Sequence, residues 1–485
     1  MQPSPRLALI WSFAERYASL VVAIGSTMIL SRLLTPTDVG IYSMCAAVAA
    51  VAGILRDFGV SEYLIQERDL TREKIRAAYG IAFIVAWSIG ALVFLSRYRV
   101  AAFYGEPAVA QVLAVLSLHF IILPIASPTF ALMNRELAFR QIFGLQVVCN
   151  TMQAVVSVVL AYRGHAFMSL AWGPIAAVAL QSVLLMWMRP RDSLVLPGLQ
   201  QVRTVLRFGS MFVTSRVVEV LSRNFHEPVV AKQFDFAAVG LFSRAYGLVE
   251  LFHTNVGAAV IRVATPAFAA KHRAGQPLAE AFARATAIFV SVSWAFFGFI
   301  ALTSHQIIDV MFGSQWLAAA PIASILAVSW MPHGLCALAP QMLSATGHVK
   351  RRLRITLLCS PIQIIGVLVA AQFSLHAVAA VWLVTNLATV VLYVLQLRTT
   401  LGTSARELYK PCLGSAWVTL ASVAAQAATL LALREHGVPA LLQLVVVFAV
   451  GVLAWACVGR VLAHPAYHEA AQLLAAARRR VPRRR

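Results

Sequence analysis

The chain has 485 residues, of which 60% are hydrophobic and only 12% charged, with a mean hydropathy of +0.78. That balance excludes a soluble globular protein with a wetted surface and makes lipid the solvent for most of the molecule. The formal charge of +21 would suit a nucleic-acid binder, but where the cations fall along the chain decides what they mean.

A spanning helix needs about 20 mostly apolar residues. Segments of this kind are predicted in chain order near 7–31, 39–58, 77–96, 109–132, 142–162, 166–188 and 204–228. They continue near 236–260, 281–303, 318–341, 353–373, 375–397, 411–433 and 438–462. The first is read as a retained helix, because its apolar run from Leu7 is longer than a signal-peptide core and lacks a small-residue cleavage site. No stretch remains for a large soluble catalytic module. The end, from Pro465 to Arg485, reads as a short amphipathic helix followed by two arginine triplets, suited to an anionic lipid surface.

With the N-terminus placed in the cytoplasm, thirty of the 40 Lys and Arg residues fall on the cytoplasmic side. Six (Arg32, Arg97, Arg99, Arg163, Lys232 and Arg434) fall on the other, and four lie within spans. This is a positive-inside pattern, which puts both termini in the cytoplasm and assigns the net charge to topology instead of nucleic acid. The cysteines Cys45, Cys149, Cys336, Cys359, Cys412 and Cys457 lie far apart in apolar segments with no metal-binding spacing, and read as small core residues. No metal, cofactor or catalytic constellation is expected.

A shift of 200 residues aligns Val39-Gly40-Ile41-Tyr42-Ser43 with Val239-Gly240-Leu241-Phe242-Ser243, and Arg16 with Arg216. A shift of 208 pairs Tyr104-Gly105 with Phe312-Gly313 and Pro124 with Pro332. Six spans separate the copies, so both enter the membrane from the same side, as parallel repeats do. The expected architecture is an all-α polytopic membrane protein of about fourteen spans. It comprises an N-lobe (1–195), a C-lobe (196–405) related to it by a parallel pseudo-two-fold, two accessory spans (406–464) and a basic tail (465–485). In transporters so built, substrate binds between the repeats and access alternates. Pro124, Pro128, Pro332 and Pro340 are expected to kink spans four and ten.

Charge inside the spans is concentrated. In span seven, Arg216, Glu219, Arg223 and Glu227 share one face at about 100° per residue. Each would cost about 2.5–3.5 kcal/mol near the bilayer centre on insertion scales, so the stripe should face a cavity or other charges. Span one adds Glu15 and Arg16, and span eight adds Arg244, Glu250 and His253. One reading has Arg16, Arg216, Arg223 and Arg244, with Glu15 and Glu219, around a substrate with an anionic head group, because guanidinium forks suit phosphate. The other has these charges pairing only among themselves as ties between helices. His119, His226, His333 and Tyr246 are read as hydrogen-bonding between helices.

The segment Ser31-Arg32-Leu33-Leu34-Thr35-Pro36-Thr37-Asp38-Val39-Gly40-Ile41-Tyr42 resembles the R-x-L-x-P-x-[DE]-x-G-x-[YF] signature of bacterial polysaccharide exporters. These are Wzx-type flippases of lipid-linked oligosaccharides, and the colanic-acid exporter branch is the most similar. Asp57-Phe58-Gly59, Leu64-Ile65-Gln66, Asn134-Arg135-Glu136-Leu137 with Phe139, and Ser222-Arg223-Asn224 extend the likeness. So do Gly240-Leu241-Phe242-Ser243-Arg244-Ala245-Tyr246 and Met311-Phe312-Gly313 with Trp316, in the same order over roughly residues 5 to 400. One departure is His226-Glu227-Pro228, where relatives often carry an Asp after the Arg-Asn pair. The resemblance implies the multidrug/oligosaccharidyl-lipid/polysaccharide exporter fold in the bacterial inner membrane, with a central cavity. It implies flipping of an undecaprenyl-diphosphate-linked repeat unit for exopolysaccharide, capsule or O-antigen synthesis. A polymerase and chain-length regulator are the protein partners this would bring, with a proton or sodium ion as a possible coupling ion. The alternative on the same fold is a drug or cation antiporter like the multidrug MATE transporters, which should carry isolated carboxylates.

Overall fold

The computed structural model describes residues 5–480 apart from 58, 194, 199, 201–216 and 219. Among the described residues there are helices and turns and no strand. Two compact units divide the chain, Met1–Gly240 and Leu241–Arg485.

The first unit holds α1 (Pro5–Leu33), α2 (Pro36–Asp57), α3 (Val60–Gln66), α4 (Arg72–Tyr104), α5 (Pro107–Arg135), α6 (Phe139–Tyr162), α7 (Ala166–Met188) and α8 (His226–Gln233). The second runs from α9 (Phe236–Phe252), which begins just before the division, through a π turn (His253–Gly257) into α10 (Ala258–Arg273). Then follow α11 (Leu278–Phe312), α12 (Ala320–Trp330), α13 (Ala339–Ala345), α14 (Val349–Ala370), α15 (Leu375–Leu401), α16 (Ala405–Glu435), α17 (Ala440–Val461) and α18 (Pro465–Arg480).

Eleven helical stretches among the described residues are long and apolar enough to cross a membrane. They coincide with predicted spans two to six and nine to fourteen. Spans one and eight are helical too, as α1 and as α9 to α10, while most of span seven lies outside the described residues. Their outer faces are apolar, as lipid requires: on α16, Leu413, Trp417 and Leu420 are all exposed at helical spacing. All six cysteines are free thiols, and Cys45, Cys149, Cys336 and Cys412 are buried.

Helix starts and stops follow local chemistry. Thr35 caps α2 in a reciprocal box: its hydroxyl accepts from Asp38 N at 3.2 Å, while Asp38 Oδ2 accepts from Thr35 N at 3.0 Å. Pro36 occupies the first helical position, where its missing N–H costs nothing. Asp235 begins α9 in a similar way, its Oδ1 accepting from Ala238 N at 2.6 Å. Within the first unit these two starts cross with no room for a side chain. A Cβ on Gly40 would collide with the Phe236 carbonyl and one on Gly240 with the Pro36 carbonyl. The same atoms would stand 3.0 Å from Gly240 N and 3.2 Å from Gly40 N. Each glycine thus meets its counterpart and the residue four before it.

Polar groups tie the first unit's loop residues to its helices. Tyr79 Oη meets Thr129 Oγ1 at 2.6 Å and donates to the Asp192 carbonyl at 2.7 Å. Arg135 donates to the carbonyls of Leu64 (2.9 Å) and Glu67 (2.5 Å), closing the end of α3. Glu136 pairs with Arg189 at 2.7 Å.

The prolines behave differently in spans four and ten. α5 runs as one helix through Pro124 and Pro128, whereas span ten breaks into α12, a 3₁₀ turn at Pro332–Leu335, and α13. Proline supplies no N–H to the preceding turn. At the break, the Met331 carbonyl accepts from Trp294 Nε1 at 2.6 Å and from Gly334 N at 3.1 Å. The Ser329 carbonyl accepts from Asn386 Nδ2 at 2.8 Å.

Candidate functional site

In the first unit α1 carries Glu15 and Arg16, both half-buried. Glu15 lines a cavity of about 180 Å³ with Phe130, Asn134, Phe139, Ile142 and Gln146. Its carboxylate accepts from Ser19 Oγ at 3.4 Å, and Ser19 Oγ in turn accepts from Asn150 Nδ2 at 2.8 Å. No cation pairs with Glu15 among the described residues. Arg16, one position on, points about 100° around the helix, and its buried Nε meets no hydrogen-bond partner.

Arg223 is exposed on the helical segment leading into α8, and Glu227 is half-buried in the first turn of α8. Arg216 and Glu219 lie outside the described residues. The reading that all span-seven charges share one face thus falls largely outside the described residues.

In the second unit Arg244 on α9 lies 5.3 Å from the Trp316 ring centre and 5.6 Å from that of Phe312. Aromatic faces attract a cation through the ring quadrupole, so these rings hold the guanidinium without neutralising it. Its Nε is buried and unpartnered, and no carboxylate pairs with it among the described residues. Among the described residues no carboxylate pairs with Arg16 or Arg244, while the ties expected through Arg216 and Glu219 fall outside them.

Two of the residues read as hydrogen-bonding between helices, Tyr246 and His333, lie in the same unit beside His253. Phe242, Tyr246 and His253 follow at spacings of four and seven, on one face of the α9 stretch. The His253 ring lies 4.3 Å from Trp330 and 4.9 Å from His333, and Trp330 lies 5.3 Å from His333. Tyr246 reaches Trp330 at 6.3 Å and Trp382 at 5.7 Å. Trp330 and Trp382 carry no charge and no motif, so nothing but their size marked them in the sequence. His226 is buried on α8, and His119 is half-buried on α5.

Residues 29–321 match the family described as polysaccharide biosynthesis protein. The chain belongs to that family. Among its curated relatives is the teichuronic acid biosynthesis protein TuaB of Bacillus subtilis, 23% identical over 323 residues, 66% of each chain. Another is the lipopolysaccharide biosynthesis protein WzxC of Escherichia coli, 21% identical over 322 residues, 66% of this chain and 65% of that one. The matched region therefore spans just under two thirds of these relatives. The fold resembles that of the lipid II flippase MurJ in an inward closed conformation, with a TM-score of 0.76 at 10% identity, covering 93% of this chain and 98% of that one. It also resembles an inward-facing multidrug resistance MATE transporter of the MOP superfamily, with a TM-score of 0.63 at 14% identity, covering 80% and 96%. This member of the family is thus a multi-pass membrane protein whose fold is like those of the two solved structures.

The family signature can now be read physically. In its first block Thr35, Pro36 and Asp38 start α2 and Gly40 permits the crossing. Arg135 and Glu136 fasten α3 and Arg189. Most of its legible residues build the scaffold, and Arg244 packs against Trp316 and Phe312 with no carboxylate partner among the described residues.

Proposed function

We propose that the chain moves an undecaprenyl-diphosphate-linked oligosaccharide repeat unit from the cytoplasmic to the periplasmic leaflet of the bacterial inner membrane. The names of its relatives and the likeness to a lipid II flippase fold support this reading. The observation that carries it is Arg244, an intramembrane guanidinium with aromatic neighbours and no carboxylate partner among the described residues. On α1, Arg16 likewise has a buried Nε without a hydrogen-bond partner among the described residues. An unpaired cation in a span is unfavourable in lipid and marks a substrate pathway, and a diphosphate supplies the missing anion with acceptors for a planar fork. Arg223 and, by the repeat, Arg216 would complete the set, with both termini cytoplasmic. The polar glycan then crosses in a wet passage between two parallel six-helix repeats, 1–195 and 196–405, while the polyprenyl chain stays in lipid. No bond is made or broken. The reciprocal contact of Gly40 with Gly240, 200 residues apart, supports the repeat, because a two-fold axis generates contacts of this form.

The test is to replace Arg16 and Arg244 separately with Gln and measure transfer of lipid-linked repeat units to the periplasmic leaflet at equal membrane abundance. Loss of one charge-assisted contact of about 1.5–3 kcal/mol predicts a fall of roughly tenfold or more in each. Unimpaired transfer in both would sink the diphosphate site. One observation favours the antiporter alternative: Glu15, a carboxylate in a cavity with no cationic partner among the described residues. If Glu15→Gln abolishes efflux of a lipophilic cation while the arginine replacements leave repeat-unit transfer intact, the antiporter reading wins.

A further inference from the structure

Two helices of the second unit are interrupted, and their interruptions meet. α9 passes into α10 through the π turn at His253–Gly257, and α12 passes into α13 through the break at Pro332–Leu335. His253 and His333 each lie close to the middle of their spans, and their rings touch at 4.9 Å with Trp330 closing the triangle at 4.3 and 5.3 Å. π turns inside helices gather at functional sites, and interrupted spans build the substrate sites of transporters near the bilayer midplane.

We infer that the cluster of His253, Trp330 and His333, flanked by Tyr246 and Trp382, is a saccharide subsite that takes one pyranose ring of the transported glycan. The inference rests on the flippase reading and names where its sugar would bind. A pyranose has a face of polarised C–H bonds and a rim of hydroxyls. Its neutral recognition calls for aromatic surfaces with uncharged donors and acceptors at their edges. Imidazole and indole combine both in one ring system. Trp330 is 6% exposed and its Nε1–H has no acceptor. A phenylalanine would offer a smaller aromatic face without leaving a buried donor unmet. Nor does the break need these rings to satisfy its backbone: Trp294 and Asn386 already donate to the Met331 and Ser329 carbonyls at 2.6 and 2.8 Å. His253, His333 and Tyr246 are half-buried, so each retains surface for a ligand.

The experiment measures binding of two probes to the full chain in lipid nanodiscs: undecaprenyl diphosphate, and the undecaprenyl-diphosphate-linked oligosaccharide extracted from membranes of the cells that make this protein. The wild type should prefer the glycosylated lipid by about tenfold, the scale of one well-made aromatic contact with its hydrogen bonds. In Trp330→Phe and in His333→Gln the preference should collapse towards unity. Retained binding of undecaprenyl diphosphate shows that both variants are folded. Equal wild-type affinity for both lipids, or an undiminished preference in both variants, overturns the subsite and leaves the flippase reading standing. Loss of undecaprenyl diphosphate binding in both variants also overturns it, by showing that the rings hold the fold. So does a variant that loses tetraphenylphosphonium binding with its glycan preference intact, because the box would then hold a cation. Failure of the wild type to bind either lipid sinks the flippase reading itself.

Discussion

Gly40 and Gly240 show how a single hydrogen in place of a methyl can decide whether two helix starts meet. A Cβ at either position would enter the van der Waals radius of a carbonyl oxygen and carbon belonging to the crossing backbone, which has no rotamer by which to yield. Overpacking of this kind costs about 1–3 kcal/mol or more. Gly240→Ala and Gly40→Ala should each lower the thermal midpoint of the purified protein and reduce transfer. Alanine at Gly53, where nothing lies within 4 Å of a Cβ, should be tolerated. Equal midpoints for all three would mean that the crossing is looser than drawn. The sequence pointed to Gly40 and Gly240 as repeat partners, but 200 residues of separation say nothing of contact. Arg16 and Arg244 were legible as charges in apolar segments. Whether each had a carboxylate beside it depended on helix rotation, which no spacing argument fixes between different spans.

One imidazole fastens the start of the tail helix. His464 Nδ1 accepts from Ala466 N at 3.2 Å, so Nε2 carries the proton and donates to Ser415 Oγ at 2.9 Å, and Ser415 donates to the Ala287 carbonyl at 2.8 Å. Arg284 adds an exposed pair with Glu469 at 2.9 Å, of small worth in water. Desolvation holds the His464 pKa below its ordinary value. The neutral ring's contribution is complete above the ordinary imidazole pKa and is lost as pH falls through the lowered folded value. Protonation would then place an N–H against the Ala466 N–H. Amide exchange of Pro465–Arg480, corrected for its intrinsic rate, should therefore rise on acidification from pH 7.5 to pH 5 in the wild type, and the added acid-induced rise should vanish in His464→Gln. A wild type with no such rise would remove His464 from the account. The amphipathic end was legible from its apolar and arginine positions, and the helix Pro465–Arg480 answers to it. The break in span ten was legible only as prolines, and α5 shows why that signal is incomplete: the same residue leaves Pro107–Arg135 a single helix.

At the scale of the whole molecule, the asymmetry of Lys and Arg predicts an orientation with both termini cytoplasmic. Single cysteines placed in a cysteine-free background at Gly164, between α6 and α7, and at Ala470, in α18, test it with a membrane-impermeant thiol reagent on intact spheroplasts. The cysteine at 164 should label before lysis and the one at 470 only afterwards; the opposite order would invert the molecule and the direction of transfer with it.

Spans, their order and the chemical series that marks the family were determined by the sequence alone. An apolar run long enough to cross a bilayer has one workable backbone, because lipid offers no partner to an unpaired N–H or C=O. The tertiary structure decided which charges lack partners and which rings meet. His253, Trp330 and His333 are scattered over some eighty positions of chain, and in a membrane both aromatic and aliphatic faces satisfy the hydropathy pattern. Only the rotation of each helix, set by packing and by where its hydrogen-bond ladder is interrupted, brings those side chains to one place.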